Sequence, residues 1–97
     1  MDKALRRLKI ETRKAKVADN AAKYWSTALQ LVLLTGAKAG FFSPPQLAAN
    51  LTFVNLQPVA RQAKMCRDTL LMVERTEHLA KQPWAIDVLD FFRELEV

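Results

Sequence analysis

The chain is poor in the residues that build most catalytic and metal sites. It has one histidine, His78, and one cysteine, Cys66, in 97 residues. A lone cysteine forms no internal disulfide, so a reducing cytoplasm or nucleus is the expected setting, the cytoplasm first. There is no Cys/His spacing of a zinc site and no glycine-rich phosphate loop. Glycine is confined to Gly36 and Gly40, and the four prolines fall at three places. No run of alternating β-branched residues is long enough for a strand-built sheet. No apolar stretch reaches the roughly 20 residues needed to cross a bilayer. The longest, around Ala28–Leu34, is broken by Gln30 and bounded by Lys23 and Lys38. Residues 1–18 are basic but lack the apolar core of a signal peptide. These absences argue against an enzyme, a metal or other cofactor, and a membrane span.

What is present is helix-forming. The chain is 51% hydrophobic and rich in Ala, Leu, Lys, Arg, Glu and Gln. Its length suits one domain of the usual size, about 100–150 residues. The expected fold is all-α, a compact single-domain bundle of four to five helices. Residues 2–17 place Leu5, Leu8, Thr12 and Ala15 on a narrow stripe. Asp19 or Asn20 then caps a second helix, or the first runs straight on. Residues 20–38 are apolar nearly all round, the pattern of a central helix. Ser43 and Pro44 open a short helix over residues 43–50. Residues 51–54 follow as a turn or extended link. Asn55 caps a long helix over residues 55–81, with Pro58 in its first turn. Val59, Ala63, Cys66, Leu70 and Val73 form its buried stripe. Gln82-Pro83 breaks the chain before a last helix over residues 84–95.

Charge is the most informative feature. The net charge is +5. Residues 1–18 carry seven cations against Asp2 and Glu11, and residues 19–97 balance eight against eight. The whole surplus therefore sits in the first helix. Arg6, Lys9, Arg13 and Lys16 align on one face, with Lys3, Arg7 and Lys14 beside them. Crowded like charges on a helix are unfavourable by about 0.2–0.5 kcal/mol per neighbouring pair, a cost that an anionic partner removes. A polyanion adds counterion release. The face then reads as a phosphate-binding surface for DNA or RNA. The competing readings are an acidic protein surface as partner, or a plain solvated face. A membrane surface is disfavoured, because the apolar side lacks large anchors.

Residues 45–51, a turn, and a helix opened by Asn55 resemble the layout of helix-turn-helix domains. The resemblance rests on Leu47, Ala48, Leu51 and Val59 at packing positions, and spans about a quarter of the chain. It implies that Gln57, Arg61 and Lys64 point outward toward base edges. The usual turn glycine is absent, and an ordinary helical hairpin is the alternative. Arg61, Lys64, Arg67 and Arg75 form a second basic row, diluted by Asp68, Glu74 and Glu77.

The last 15 residues are net −3, and Asp87, Asp90 and Glu94 share one flank of the last helix. This acidic row is expected to pair with the basic helix, in the same molecule or in a neighbouring copy. Pairing with a neighbour gives open, head-to-tail self-association. His78 reads as a surface residue favourable to a helix end. Cys66 reads as core packing, and the tryptophans and phenylalanines as core. Tyr24, beside Lys23, is the one aromatic with a case for facing outward. The leading expectation is a small helical nucleic-acid-binding protein, either a DNA-binding regulator or a ribonucleoprotein subunit. The alternative is a protein–protein adaptor, chaperone or inhibitor that docks on an acidic partner.

Overall fold

The computed structural model describes residues 1–96. Among them are six helices and no strand: α1 (Asp2–Val17), α2 (Ala21–Lys38), α3 (Pro44–Asn55), α4 (Val59–Arg75), α5 (Glu77–Ala80) and α6 (Pro83–Glu96). The radius of gyration is 12.6 Å, against about 12.5 Å for a single folded domain of this length.

Helix α1 has an acid, Asp2, in its first turn and Lys14 and Lys16 in its last, both favourable to the helix dipole. It stops cleanly. The Ala18 and Asn20 amides bond back to the Lys14 and Ala15 carbonyls, each at 2.9 Å. Asp19 adopts the left-handed conformation, φ 54°, that Asp tolerates better than most residues. The Asn20 carboxamide then accepts from the Lys23 amide at 3.2 Å and caps α2. The chain thus reverses within three residues instead of running on as one helix. Leu8, Thr12 and Ala15 are buried along the resulting antiparallel seam. The Thr12 hydroxyl is satisfied there by the Leu8 carbonyl at 2.6 Å and the Thr27 hydroxyl at 3.0 Å.

Helix α2 is the centre of the bundle and packs against α1, α3, α4 and α6. Tyr24, Ala28, Leu29 and Leu31 are its buried residues. Full burial of a leucine such as Leu8 or Leu31 stabilises the fold by about 2 kcal/mol. Tyr24 corrects the expectation of an outward ring, because it is only 7% exposed.

Ser43 caps α3 as expected, and Gln46 completes a reciprocal capping box with it. The helix then outruns its expected end at residue 50. Residues 51–54 are helical rather than a link, and Asn55 is the last residue of α3 rather than the cap of the next helix. The chain holds no glycine or proline between Gln46 and Gln57 to stop it. Pro58 is the breaker, since it disfavours helical backbone in the residue before it. The turn is therefore at residues 56–58, and α4 begins at Val59.

The expected helix over residues 55–81 is also shorter at its far end. Thr76 leaves the helical region at φ −95°, ψ 102°, with its hydroxyl donating to the Met72 carbonyl at 2.6 Å. The single turn α5 follows. Ala63, Cys66 and Val73 are buried and Leu70 is half-buried, but Val59, in the first turn beside exposed Leu56, is 38% exposed. The buried Gln62 side chain donates to the Val54 carbonyl at 2.9 Å and fastens the end of α3 to α4. Helix α6 buries Ala85, Val88, Leu89, Phe91 and Phe92. Among the described residues no helix is long and apolar enough to cross a membrane.

Candidate nucleic-acid interface

The antiparallel seam sets the electrostatics of α1. Facing residues run in opposite directions about Asp19, with Asp2 against Lys38, Glu11 against Lys23 and Thr12 against Thr27. Lys38 hydrogen-bonds Asp2, and the Lys23 ammonium lies 2.7 Å from Glu11. Both carboxyls are held below their ordinary range, first by the hydrogen bond from the lysine and then by its charge. The only two acids of α1 are thus matched by cations of α2, not by the cations of α1 itself.

The seven cations divide into two groups. Lys9, Arg13 and Lys16 flank the seam and lie over aromatic rings. The Lys9 ammonium is 5.7 Å and the Arg13 guanidinium 4.8 Å from the centre of Phe91. Lys16 is 5.6 Å from the centre of Tyr24. Lys9 is also ion-paired with Asp87 at 2.7 Å, and its side chain is only 26% exposed. The second group, Lys3, Arg6, Arg7 and Lys14, lies on the outer face. Lys3, Arg6 and Arg7 line one shallow depression with Ile10 and Glu11. All four are exposed, and none has a carboxylate partner among the described residues. The row Arg6, Lys9, Arg13 and Lys16 is therefore not one uniform face. Its middle is engaged with α6, and the free charge centres on Lys3, Arg6, Arg7 and Lys14.

The acidic row of the last helix splits in the same way. Asp87 takes Lys9 of the same molecule, and Asp90 lies 3.6 Å from Arg93. Glu94 is exposed and has no cation within ion-pair distance among the described residues.

Helix α4 presents its basic row differently. Lys64 is bonded to Asp68 one turn on, while Arg61 and Arg75 are exposed. Arg67 stacks over Trp25 at 4.9 Å, and Trp25 meets Tyr24 edge-on at 4.8 Å. Lys16 of α1 and Arg67 of α4 are thereby linked across the first turns of α2 by two adjoining rings. The helix-turn-helix register needs correction. Its assumed turn is helical, and Gln57 is half-buried, with its side chain donating to the Phe53 carbonyl at 3.2 Å.

The sequence gives these supporting residues no part in the cationic face. Lys23 and Lys38 neutralise the acids of α1, and Phe91, Tyr24 and Trp25 carry its cations and Arg67. The signal that reveals the first pair is the reversal at Asp19, which sets residue 2 opposite residue 38. Nucleophilic chemistry has no footing at Cys66, which is fully buried, with burial pushing its thiol up to about 12. His78 is exposed on α5. Among the described residues no three His, Cys, Asp or Glu side chains group as metal ligands. No protein-family model, curated protein sequence or solved structure matches this chain.

Proposed function

We propose that this protein is a non-enzymatic nucleic-acid-binding protein of the reducing cytoplasm that contacts the phosphate backbone through α1. One observation carries the reading. The acids of α1 are matched by Lys23 and Lys38, which leaves Lys3, Arg6, Arg7, Arg13, Lys14 and Lys16 without carboxylate partners among the described residues. Phosphates are the natural counter-charge for such a row. The rings beneath Arg13 and Lys16 support the reading further, since cation–π contact of about 0.5–1 kcal/mol at exposed sites orients a cation without cancelling its charge. Two forms fit, a DNA-binding regulator and a small subunit lining a strand in a ribonucleoprotein complex. The second asks only for backbone contacts, which is what α1 offers. Arg61 and Lys64 are secondary contacts. The test is an anisotropy titration with labelled duplex DNA and single-stranded RNA at low and moderate salt. Saturable, salt-sensitive binding to either is expected; no binding to both at low salt rejects the reading.

A second reading draws on a different surface. Phe53, Leu56 and Val59 are 52%, 79% and 38% exposed around the α3–α4 turn, an apolar grouping of the kind used in protein contacts. Here α1 docks on an acidic protein and the turn supplies apolar anchorage, as in an adaptor, chaperone or inhibitor. Copurification with one protein at fixed stoichiometry, lost on Leu56→Asp and insensitive to nuclease, supports this reading over the first.

A further inference from the structure

A chamber of about 290 Å³ lies between α2, α4, α5, α6 and the Phe41–Phe42 segment. No residue of α1 lines it, so it is separate from the cationic face. Val32, Phe42, Leu70, Leu79, Trp84 and Val88 are among the apolar residues of its wall. Two features of the chain shape the space. Gly36 has no side chain, which lets the Phe42 ring pack directly on α2 as one wall; a Cβ there would meet Phe42 Cε2 at 2.9 Å. Helix α5 is a single turn of four residues, too short to fill the gap beyond the break at Thr76.

The wall carries no charged side chain. Apart from the Trp84 indole N–H, its only polar side chains are Thr35 and Thr69. Their hydroxyls are already turned into their own helices, donating to the Leu31 and Met65 carbonyls at 2.7 and 2.8 Å. The chamber opens to solvent beside Phe41 and Met72, both 51% exposed, and water against its apolar wall has few polar partners, so an apolar molecule that displaces it is favoured. An engineered cavity of about 150 Å³ accepts benzene, so this chamber has room for a second ring. Its volume is close to the lower end, about 300 Å³, of small-molecule sites. Phe42, Trp84 and Phe41 make part of the wall aromatic, and Phe41 packs edge-on against Trp84 at 5.4 Å.

We propose that this chamber is a binding site for a small, neutral, apolar molecule with the size and flatness of one or two fused aromatic rings. The test uses naphthalene as the probe and 2-naphthoate as its charged counterpart, added to the intact protein. Trp84 fluorescence is read in a Trp25→Phe background, since Trp84 lines the chamber and Trp25 does not. Saturable one-to-one binding of naphthalene is expected, with a raised Tm and at least tenfold weaker binding of 2-naphthoate. Thr69→Leu lengthens the side chain and adds one heavy atom to the space, and is expected to weaken naphthalene binding at least tenfold while the helical circular dichroism persists. Methyl NMR shifts of Val32, Leu70, Leu79 and Val88 in the unmutated chain locate the site independently of any variant. The proposal is overturned by absence of saturable naphthalene binding to the folded protein, or by equal binding of the two probes. Naphthalene-induced shifts confined to other methyls overturn it, as does a concentration-dependent dimer that shifts these methyls without added probe.

Discussion

Helices α1 and α4 are alike in length, 16 and 17 residues, and both turn a basic row outward from a buried stripe. They differ in where their counter-charges come from. On α4, Lys64 is answered by Asp68 of the same helix, so one basic position is quieted locally, while Glu74 pairs with Arg93 of α6. On α1, Asp2 and Glu11 face across the seam to Lys38 and Lys23, and the helix's own cations other than Lys9 are left over. A helix is thus an electrostatic surface not by its count of lysines and arginines but by which neighbours compete for its acids. Exposed pairs of this kind contribute little stability, about 0–1 kcal/mol each. Their larger effect is on which charges remain available to a ligand.

Reversing Lys3, Arg6, Arg7 and Lys14 to Glu gives the largest effect on binding. We expect a loss of at least 100-fold for nucleic acid, measured by anisotropy, because four phosphate contacts are replaced by four repulsions. The matching reversal of Arg61, Lys64, Arg67 and Arg75 on α4 is expected to cost tenfold or less. Equal losses from the two helices would break the comparison.

The seam itself can be loosened from the core side. Leu8→Ala removes a side chain only 1% exposed and is expected to lower stability by about 2–5 kcal/mol in chemical denaturation. Gln62→Ala removes one bond to the Val54 carbonyl at the α3–α4 corner, which still accepts from the Gln57 amide at 3.1 Å, and is expected to cost about 0.5–1.5 kcal/mol.

Acid should weaken the seam more gently. Asp2 and Glu11 have lowered pKa values in the folded chain. The stability they supply is complete above the ordinary carboxylate range and is lost as pH falls below about 4, through their lowered values. The Tm of the unmutated protein should therefore fall more steeply over that range than the Tm of a Lys23→Ala, Lys38→Ala double variant. Parallel curves would show that the two pairs do not clasp α1. The smallest signal expected is at Cys66, whose thiol should react with a soluble disulfide reagent at neutral pH only when the chain unfolds.

Much of this architecture was legible in the sequence, because helical periodicity is local. The stripe of Leu5, Leu8, Thr12 and Ala15, the capping by Ser43 and the central place of residues 20–38 follow from spacing and turn chemistry alone. Boundaries between breakers were less legible. Thr52 and Asn55 are individually poor helix residues, yet α3 carries them as far as the turn before Pro58, and Thr76 ends α4 without any glycine or proline to announce it. The cationic site was legible as a surplus of charge on the first helix. Its division was not, because pairing of Lys9 with Asp87 and stacking on Phe91 join residues nearly 80 positions apart. The chamber was invisible in the sequence, since it arises from packing rather than from any motif.

The central claim is that uncancelled charge on the outer face of α1 binds phosphate. It is tested most directly by the salt dependence of duplex DNA binding for the unmutated chain and for the variant with Lys3, Arg6, Arg7 and Lys14 changed to Ala. The account expects the rise of log Kd per tenfold rise in salt to be larger by about 3–4 in the unmutated chain than in the alanine variant, from the four outer-face phosphate contacts at about 0.9 each. The slope that remains in the variant comes from Arg13, Lys16, Arg61 and Lys64. Identical slopes in the two proteins, or no binding by the unmutated chain, would contradict the account.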